Sequence, residues 1–280
     1  MSLSHLFRSA LLCLLPVLAV PSAAHDFWLR PDSFRMDAPG EQVLRFEVGH
    51  PLERSPWPLT PWRTISLRSH GPDGMRDQQM GVPGGNSPLA GRGAARIRLD
   101  APGTHLVAFE GRIARSELPV DRFLDYARKE ALSPILARHE DREDPGIETY
   151  SRRGKTYIRV GESEGTGSTA YLTEPLGHTL ELVPHTDPAR LSPGGTLPLT
   201  VYWQGKPLSG ARVSFGPIGD TPGADGEREA DTSDGDGRVA FTVLGEGEWM
   251  AHVIWSRVLP DDQDADYDTV FSSLSFSAQE

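Results

Sequence analysis

Residues 21–28 read Pro-Ser-Ala-Ala-His-Asp-Phe-Trp, and the chemistry of this stretch depends on where the chain is cut. Arg8 and an apolar run from Leu11 to Val20 precede it, and Ser22 and Ala24 are the small residues that signal peptidase requires just before its cut. Cleavage after Ala24 makes His25 the first residue of the mature protein. An N-terminal histidine carries two nitrogen donors, its α-amine and its imidazole, and an unperturbed α-amine pKa of about 7.7–8.0 keeps the amine available near neutral pH. One further imidazole completes a three-nitrogen site suited to copper or nickel. The square-planar motif with histidine at mature position three is excluded, because Phe27 stands there. The arrangement open to this chain is the histidine brace: terminal amine and imidazole plus a second histidine.

Of nine histidines, only His5 falls in the segment removed. None of the rest forms an i, i+4 or His-x-His pair, so a site must be assembled across strands. The expected metal ligands are His25, His50, His252 and His105. His50 follows a strand and a glycine, and Pro51 fixes a turn from which an imidazole can project. His252 sits inside Trp249–Trp255, whose pattern leaves open the face its ring takes. His105 opens a strand after an Ala-Pro-Gly-Thr turn. His70 and His139 read as solvated surface, and His178 and His185 as hydrogen-bonded flanks of the Leu180–Pro184 strand.

Other chemistry is thinner. Cys13 lies in the apolar run, so the mature chain has no disulfide and no thiolate ligand. Asp231–Gly237 has glycine at position five and aspartate at position six, which breaks the calcium-loop frame and leaves an Asp/Gly turn. Asp261–Asp268 reads as a solvated acidic loop. Tyr150-Ser151-Arg152 with Lys155 can bind an anion or form a salt-bridge cluster at a strand entry. Trp57 and Trp62, in a Pro-rich loop, are expected to be exposed near His50, whereas the other tryptophans read as core. With 28 basic and 39 acidic residues the net charge is −11, and no basic stripe is present, which argues against nucleic-acid and anionic-membrane partners. The ten-residue apolar run is too short to span a bilayer. The expected location is periplasmic or secreted, without stable membrane insertion.

The elements that must position these residues are strands. Alternating or β-branched segments recur at Gln42–Val48, Thr64–Arg68, Ala95–Leu99, His105–Phe109, Thr156–Val160, Leu180–Val183, Leu197–Trp203, Arg212–Phe215, Arg238–Val243, Trp249–Trp255 and Thr269–Phe276, separated by Gly/Pro turns. One helical region covers 119–140, capped by Asp121 and divided by Ser133-Pro134. The stretch 216–237 reads as a long loop. The fold class is therefore mainly β: two β-sandwich-like domains, 25–187 and 188–280, with a short helical insertion, after a signal peptide at 1–24. The C-terminal segment, with Gly205-Lys206-Pro207-Leu208 and Gly247-Glu248-Trp249, resembles transthyretin-like or immunoglobulin-type exported modules.

Further motifs extend a likeness over the whole mature chain: Ala24-His25-Asp26-Phe27-Trp28, Val48-Gly49-His50, Tyr150-Ser151-Arg152 with Lys155, and Leu180-Glu181-Leu182-Val183-Pro184 before Asp187-Pro188. Together they resemble a family of exported bacterial proteins of unknown function linked to nickel uptake. The resemblance implies a periplasmic β-rich protein that handles nickel or another transition metal, accessory to uptake or delivery, with an inner-membrane metal transporter as partner. The cofactor it implies is copper or nickel, and a binding role ranks ahead of catalysis. Two alternatives stay open. A histidine brace on a β-sandwich is also how lytic polysaccharide monooxygenases hold copper, and a metal-free envelope-binding or adhesion module would leave the histidines incidental.

Overall fold

The segments with alternating or β-branched residues all form strands, and turn residues end them. The structure is a computed structural model that describes residues 26–162, 168–226, 228–261 and 263–279. One four-stranded sheet contains β1 (Asp26–Pro31), β3 (Gly40–Gly49), β4 (Arg54–Pro56) and β7 (Ala94–Leu99), with β3 pairing antiparallel to the other three. A ten-stranded sheet contains β2 (Arg35–Met36), β5 (Thr64–Gly71), β6 (Gly74–Asp77), β8 (Gly103–Gly111), β9 (Ala114–Leu118), β10 (Gly146–Val160), β14 (Arg212–Ile218), β15 (Glu229–Thr232), β17 (Gly247–Val258) and β18 (Tyr267–Ala278). Its order is β15-β14-β17-β18-β10-β8-β5-β6, with β2 and β9 also on β10. A second four-stranded sheet contains β11 (Leu180–Pro184), β12 (Thr196–Trp203), β13 (Lys206–Pro207) and β16 (Arg238–Thr242). β10 runs parallel to β18 from Glu148/Tyr267 to Thr156/Ser275, so the ten-stranded sheet contains strands from both sides of residue 187.

The molecule is mainly β, with the ten-stranded sheet as the middle layer. Successive side chains point to opposite faces. One face presents Val213, Phe215, Ala251, Leu274 and Phe276 to the β11–β12 sheet, which answers with Leu182, Leu199, Val201 and Phe241. The other face presents Val107, Phe109 and Ile158 to Phe27, Leu29, Leu44 and Phe46 of the β1–β3 sheet. Further along that same face, Ile254 and Phe271 are covered by helices α1 (Val120–Lys129) and α2 (Ser133–His139) through Phe123, Tyr126 and Ile135. Among the described residues, no helix is long and apolar enough to cross a membrane.

Several expectations are corrected. Pro134 does divide the helical region, standing in the first turn of α2, but the cap residue of α1 is Pro119 and Asp121 lies inside the first turn. His139 is not solvated: it is fully buried, its Nε2 lies 3.0 Å from the Asp144 carbonyl, and its ring packs on Phe123 and Tyr267. The 216–237 stretch contains β15, which pairs with β14. Trp57 is packed against Phe27, Phe46 and Phe109, whereas Trp62 is exposed as expected. Within the acidic run, Asp266 and Asp268 are held by Arg142 and Arg257.

Candidate functional site

Strand β1 brings the start of the described chain onto the ten-stranded sheet. Phe27 and Leu29 point into the apolar core, while Asp26, Trp28 and Arg30 point the other way. Trp28 packs with Ile218 and Met250. Arg30 forms a two-pronged ion pair with Glu248, Nε to Oε2 at 2.6 Å and Nη2 to Oε1 at 3.0 Å. The Ser275 hydroxyl donates to the Leu29 carbonyl at 2.6 Å. Gly154 of β10 permits this close approach, because a Cβ there would lie 3.0 Å from Leu29 Cγ and 3.3 Å from Phe27 Cε1.

Asp26 ends the series in a buried cluster. Its Oδ1 lies 3.0 Å from His252 Nδ1, and its Oδ2 lies 2.7 Å from Arg228 Nη1. His252, in the middle of β17, takes the same face as Met250 and Ile254, which settles the orientation the sequence left open. Its cross-strand neighbours are Ser214 on β14 and Ser273 on β18, both small. Burial pushes the His252 imidazole down to about 4, against the pull of Asp26. Burial also works to raise Asp26, but the charges of His252, Arg228 and His50 hold its carboxyl below the usual range. Near neutral pH the imidazole is therefore uncharged and the carboxylate ionised. Hydrogen-bond chemistry then assigns the proton to Nδ1, donating to Asp26. Nε2 is left buried and without a partner.

A cleft of about 530 Å³ opens above Asp26, walled by His50, Lys129, Glu130, Arg212 and Arg228. Glu130 is raised first by burial and then by Asp26, and Arg212 stands 3.8 Å from it. His50 enters the cleft because β3 ends there: Asp26 is paired with Gly49, and His50 is the next residue. Gly49 has φ +135, and a Cβ would fall 2.3 Å from the Glu53 carbonyl oxygen, so this turn needs glycine.

The structure thus gathers His50 and His252 around one carboxylate, the first on the cleft wall and the second beneath it. His25 lies outside the described residues. His105 stands apart: its strand, β8, is three positions from β17 in the sheet, roughly 14 Å at ~4.8 Å per strand. Its Nε2 is taken by the Ala101 carbonyl at 2.8 Å. Among the described residues, no group of three or more His, Cys, Asp or Glu is placed to hold a metal ion.

The Tyr150–Lys155 motif is not a strand-entry cluster. It lies inside β10, with Arg152 buried against aromatic rings and Lys155 Nζ 2.5 Å from Glu181 Oε1 in the interior. Glu148, in the same strand, is pushed by burial up to about 7, although Thr269 donates to it at 2.6 Å. A carboxyl raised in the fold contributes its full stability below the unfolded value of 4.5 and loses it as pH rises to about 7. Glu148→Gln is therefore expected to flatten stability across that window and to exceed the parent at pH 8 by on the order of 1–3 kcal/mol. Urea unfolding at pH 5 and pH 8 measures this.

Two further motifs lie elsewhere in the chain. Asp234 accepts from the Asp236 and Arg238 amides at 2.9 and 2.8 Å, an Asp/Gly turn. The expectation that the chain lacks a Gly-x-Ser-x-Gly elbow is corrected by its own sequence: Gly161-Glu-Ser163-Glu-Gly165 follows β10 with that spacing. Ser163 lies outside the described residues, and the next described element, residues 170–172, is a single 3₁₀ turn rather than the helix an elbow needs.

The sequence profile of a family described as a domain of unknown function, DUF4198, matches residues 22–257. No curated protein matches the chain. Among solved structures, the D0-D1 domain of intimin is 12% identical, covering 90% of this chain and 97% of its own, with a TM-score of 0.21. The chicken CNTN1 FN1-FN3 domains are also 12% identical, covering 91% of this chain and 66% of their own, with a TM-score of 0.22.

Proposed function

The chain belongs to the DUF4198 family, and from that premise we propose that it is an exported protein that binds Cu(II) or Ni(II) through a processed N-terminus. The donors are the His25 α-amine and imidazole together with the His50 imidazole, and the role is capture or delivery for metal uptake at an inner-membrane transporter. The observation that carries this reading is the strand register. Asp26 faces Gly49, so the two candidate histidines are the residues next to a facing pair. Consecutive α-carbons are 3.8 Å apart, which keeps residue 25 beside Asp26 whatever its conformation.

The surroundings support it. Glu130, raised by burial and by Asp26, puts on the cleft a carboxylate that a bound cation would relieve. His252 and Arg228 fix Asp26, the kind of outer-shell support that holds metal sites in place. His252 is a positioning residue here, since it lies beneath the carboxylate and not on the cleft. Nitrogen donors favour copper over nickel on intrinsic affinity, whereas the likeness to a nickel-linked family favours nickel. We read the segment after residue 188 as an immunoglobulin- or transthyretin-like module that supplies His252 and Arg228.

Calorimetric titration with each metal tests the donor set. In protein whose first residue is His25, His50→Ala is expected to weaken binding about 10- to 100-fold, and His105→Ala to leave it unchanged. Equal affinity of His50→Ala and the parent would contradict the proposal.

A further inference from the structure

We propose that the buried polar cluster of Tyr126, Arg152, His252 and Ser273 is a binding site for a small monovalent anion of chloride size, held on the Arg152 guanidinium.

The first observation is a concentration of unsatisfied polar atoms. Tyr126 Oη, Arg152 Nε and Nη1, His252 Nε2 and Ser273 Oγ are all buried and have no hydrogen-bond partner. Folded proteins leave few such groups, and each requires an explanation. The residues that carry them are neighbours. Arg152 of β10 is in register with Phe271 of β18, and two residues further on Ser273 is in register with His252 of β17. All three side chains take the face that carries β1 and α1, and α1 brings Tyr126 within electrostatic reach of Arg152.

The second observation is charge. Arg152 is only 8% exposed and forms no ion pair among the described residues. The two carboxylates within its electrostatic reach, Asp26 and Glu148, have closer partners. Asp26 is held by Arg228 and His252, and Glu148 by Thr269. Phe271, Tyr150 and Phe27 surround the guanidinium at 4.9, 5.2 and 5.8 Å. Cation–π attraction offsets part of the desolvation cost of a buried cation but satisfies none of its N–H donors.

The chemistry that completes such a site is an acceptor with one negative charge. Arg152 Nε and Nη1 and the Tyr126 and Ser273 hydroxyls can all donate to it, while aromatic walls favour a weakly hydrated ion over phosphate or sulfate. His252 Nε2 accepts from the other side, so Ser273 can serve either partner by rotating its hydroxyl.

Thermal unfolding and crystallography test this without added metal. Raising chloride from 10 to 300 mM, with gluconate keeping ionic strength constant, is expected to raise the unfolding midpoint by about 4 °C. Tyr126→Phe and Ser273→Ala, which remove one hydroxyl each, should shift the half-saturating chloride concentration about 10-fold upward. Arg152→Gln should abolish the effect, and if it fails to fold, the two hydroxyl variants still decide the matter. Crystals grown in bromide should show an anomalous peak at hydrogen-bond distance from the guanidinium. An unfolding midpoint indifferent to chloride, or only ordered water at that position, would overturn the proposal.

Discussion

Glu181→Ala is expected to lower the unfolding free energy by about 3–5 kcal/mol, the cost of leaving a buried cation uncompensated. Lys155 and Glu181 meet at 2.5 Å with side chains 3% and 1% exposed. Glu181 also accepts the backbone N–H groups of Leu176, Gly177 and His178 at 2.6, 2.9 and 3.1 Å, so alanine would orphan three donors as well as the lysine. Burial lowers the Lys155 pKa, against the pull of Glu181. A lysine whose folded pKa is depressed contributes stability at high pH and loses it as pH falls. Glu181→Ala should therefore regain part of its loss under alkaline conditions. Lys155→Met with Glu181→Gln removes both charges and keeps an acceptor for the Gly177 and His178 amides, leaving only the Leu176 amide unpaired, and should recover part of the stability. Urea denaturation of the three proteins at pH 7 and pH 9.5 measures all of this. The pair matters beyond its own energy because it ties β10 of the ten-stranded sheet to β11 of the sheet above it.

The fold was legible wherever one apolar stripe met polar neighbours. Gln42–Val48, Thr64–Arg68, Ala95–Leu99, Arg238–Val243 and α1 are of this kind. The pattern failed where a strand is buried on both faces. In β17, Trp249 faces one apolar core and Met250 the other, so alternation disappears and the side taken by His252 could not be read. The stretch of β10 from Glu148 to Lys155 failed for the opposite reason. Glu148, Arg152, Arg153 and Lys155 look like surface residues, yet all are buried because α1, β1 and β11 cover them. His139 was misread in the same way, since nothing local indicates that α2 folds back onto Tyr267.

The candidate site was legible in part. His50 was picked out from its glycine and proline neighbours, and Gly49 does make the turn that places it. Asp26 was not identified, although it proves to be the hub for His252 and Arg228. Its one signal was its place beside His25, and only tertiary structure brings Arg228, some two hundred residues away, onto it.

The central claim is that the α-amine of His25 is itself a metal donor. Placing one alanine before His25 leaves every side chain in place but moves the amine to another residue. Linked donors gain about 10²- to 10⁴-fold over separate ones, so losing this arm should weaken binding about 100-fold. Nothing described in the fold depends on that amine, so the unfolding midpoint of the metal-free protein should stay unchanged. The direct measurement is calorimetric titration of Cu(II) and Ni(II) into the protein beginning at His25 and into its alanine-extended form. The account predicts tight one-to-one binding for the first and about 100-fold weaker binding for the second; equal affinities, or no binding by either, would contradict it.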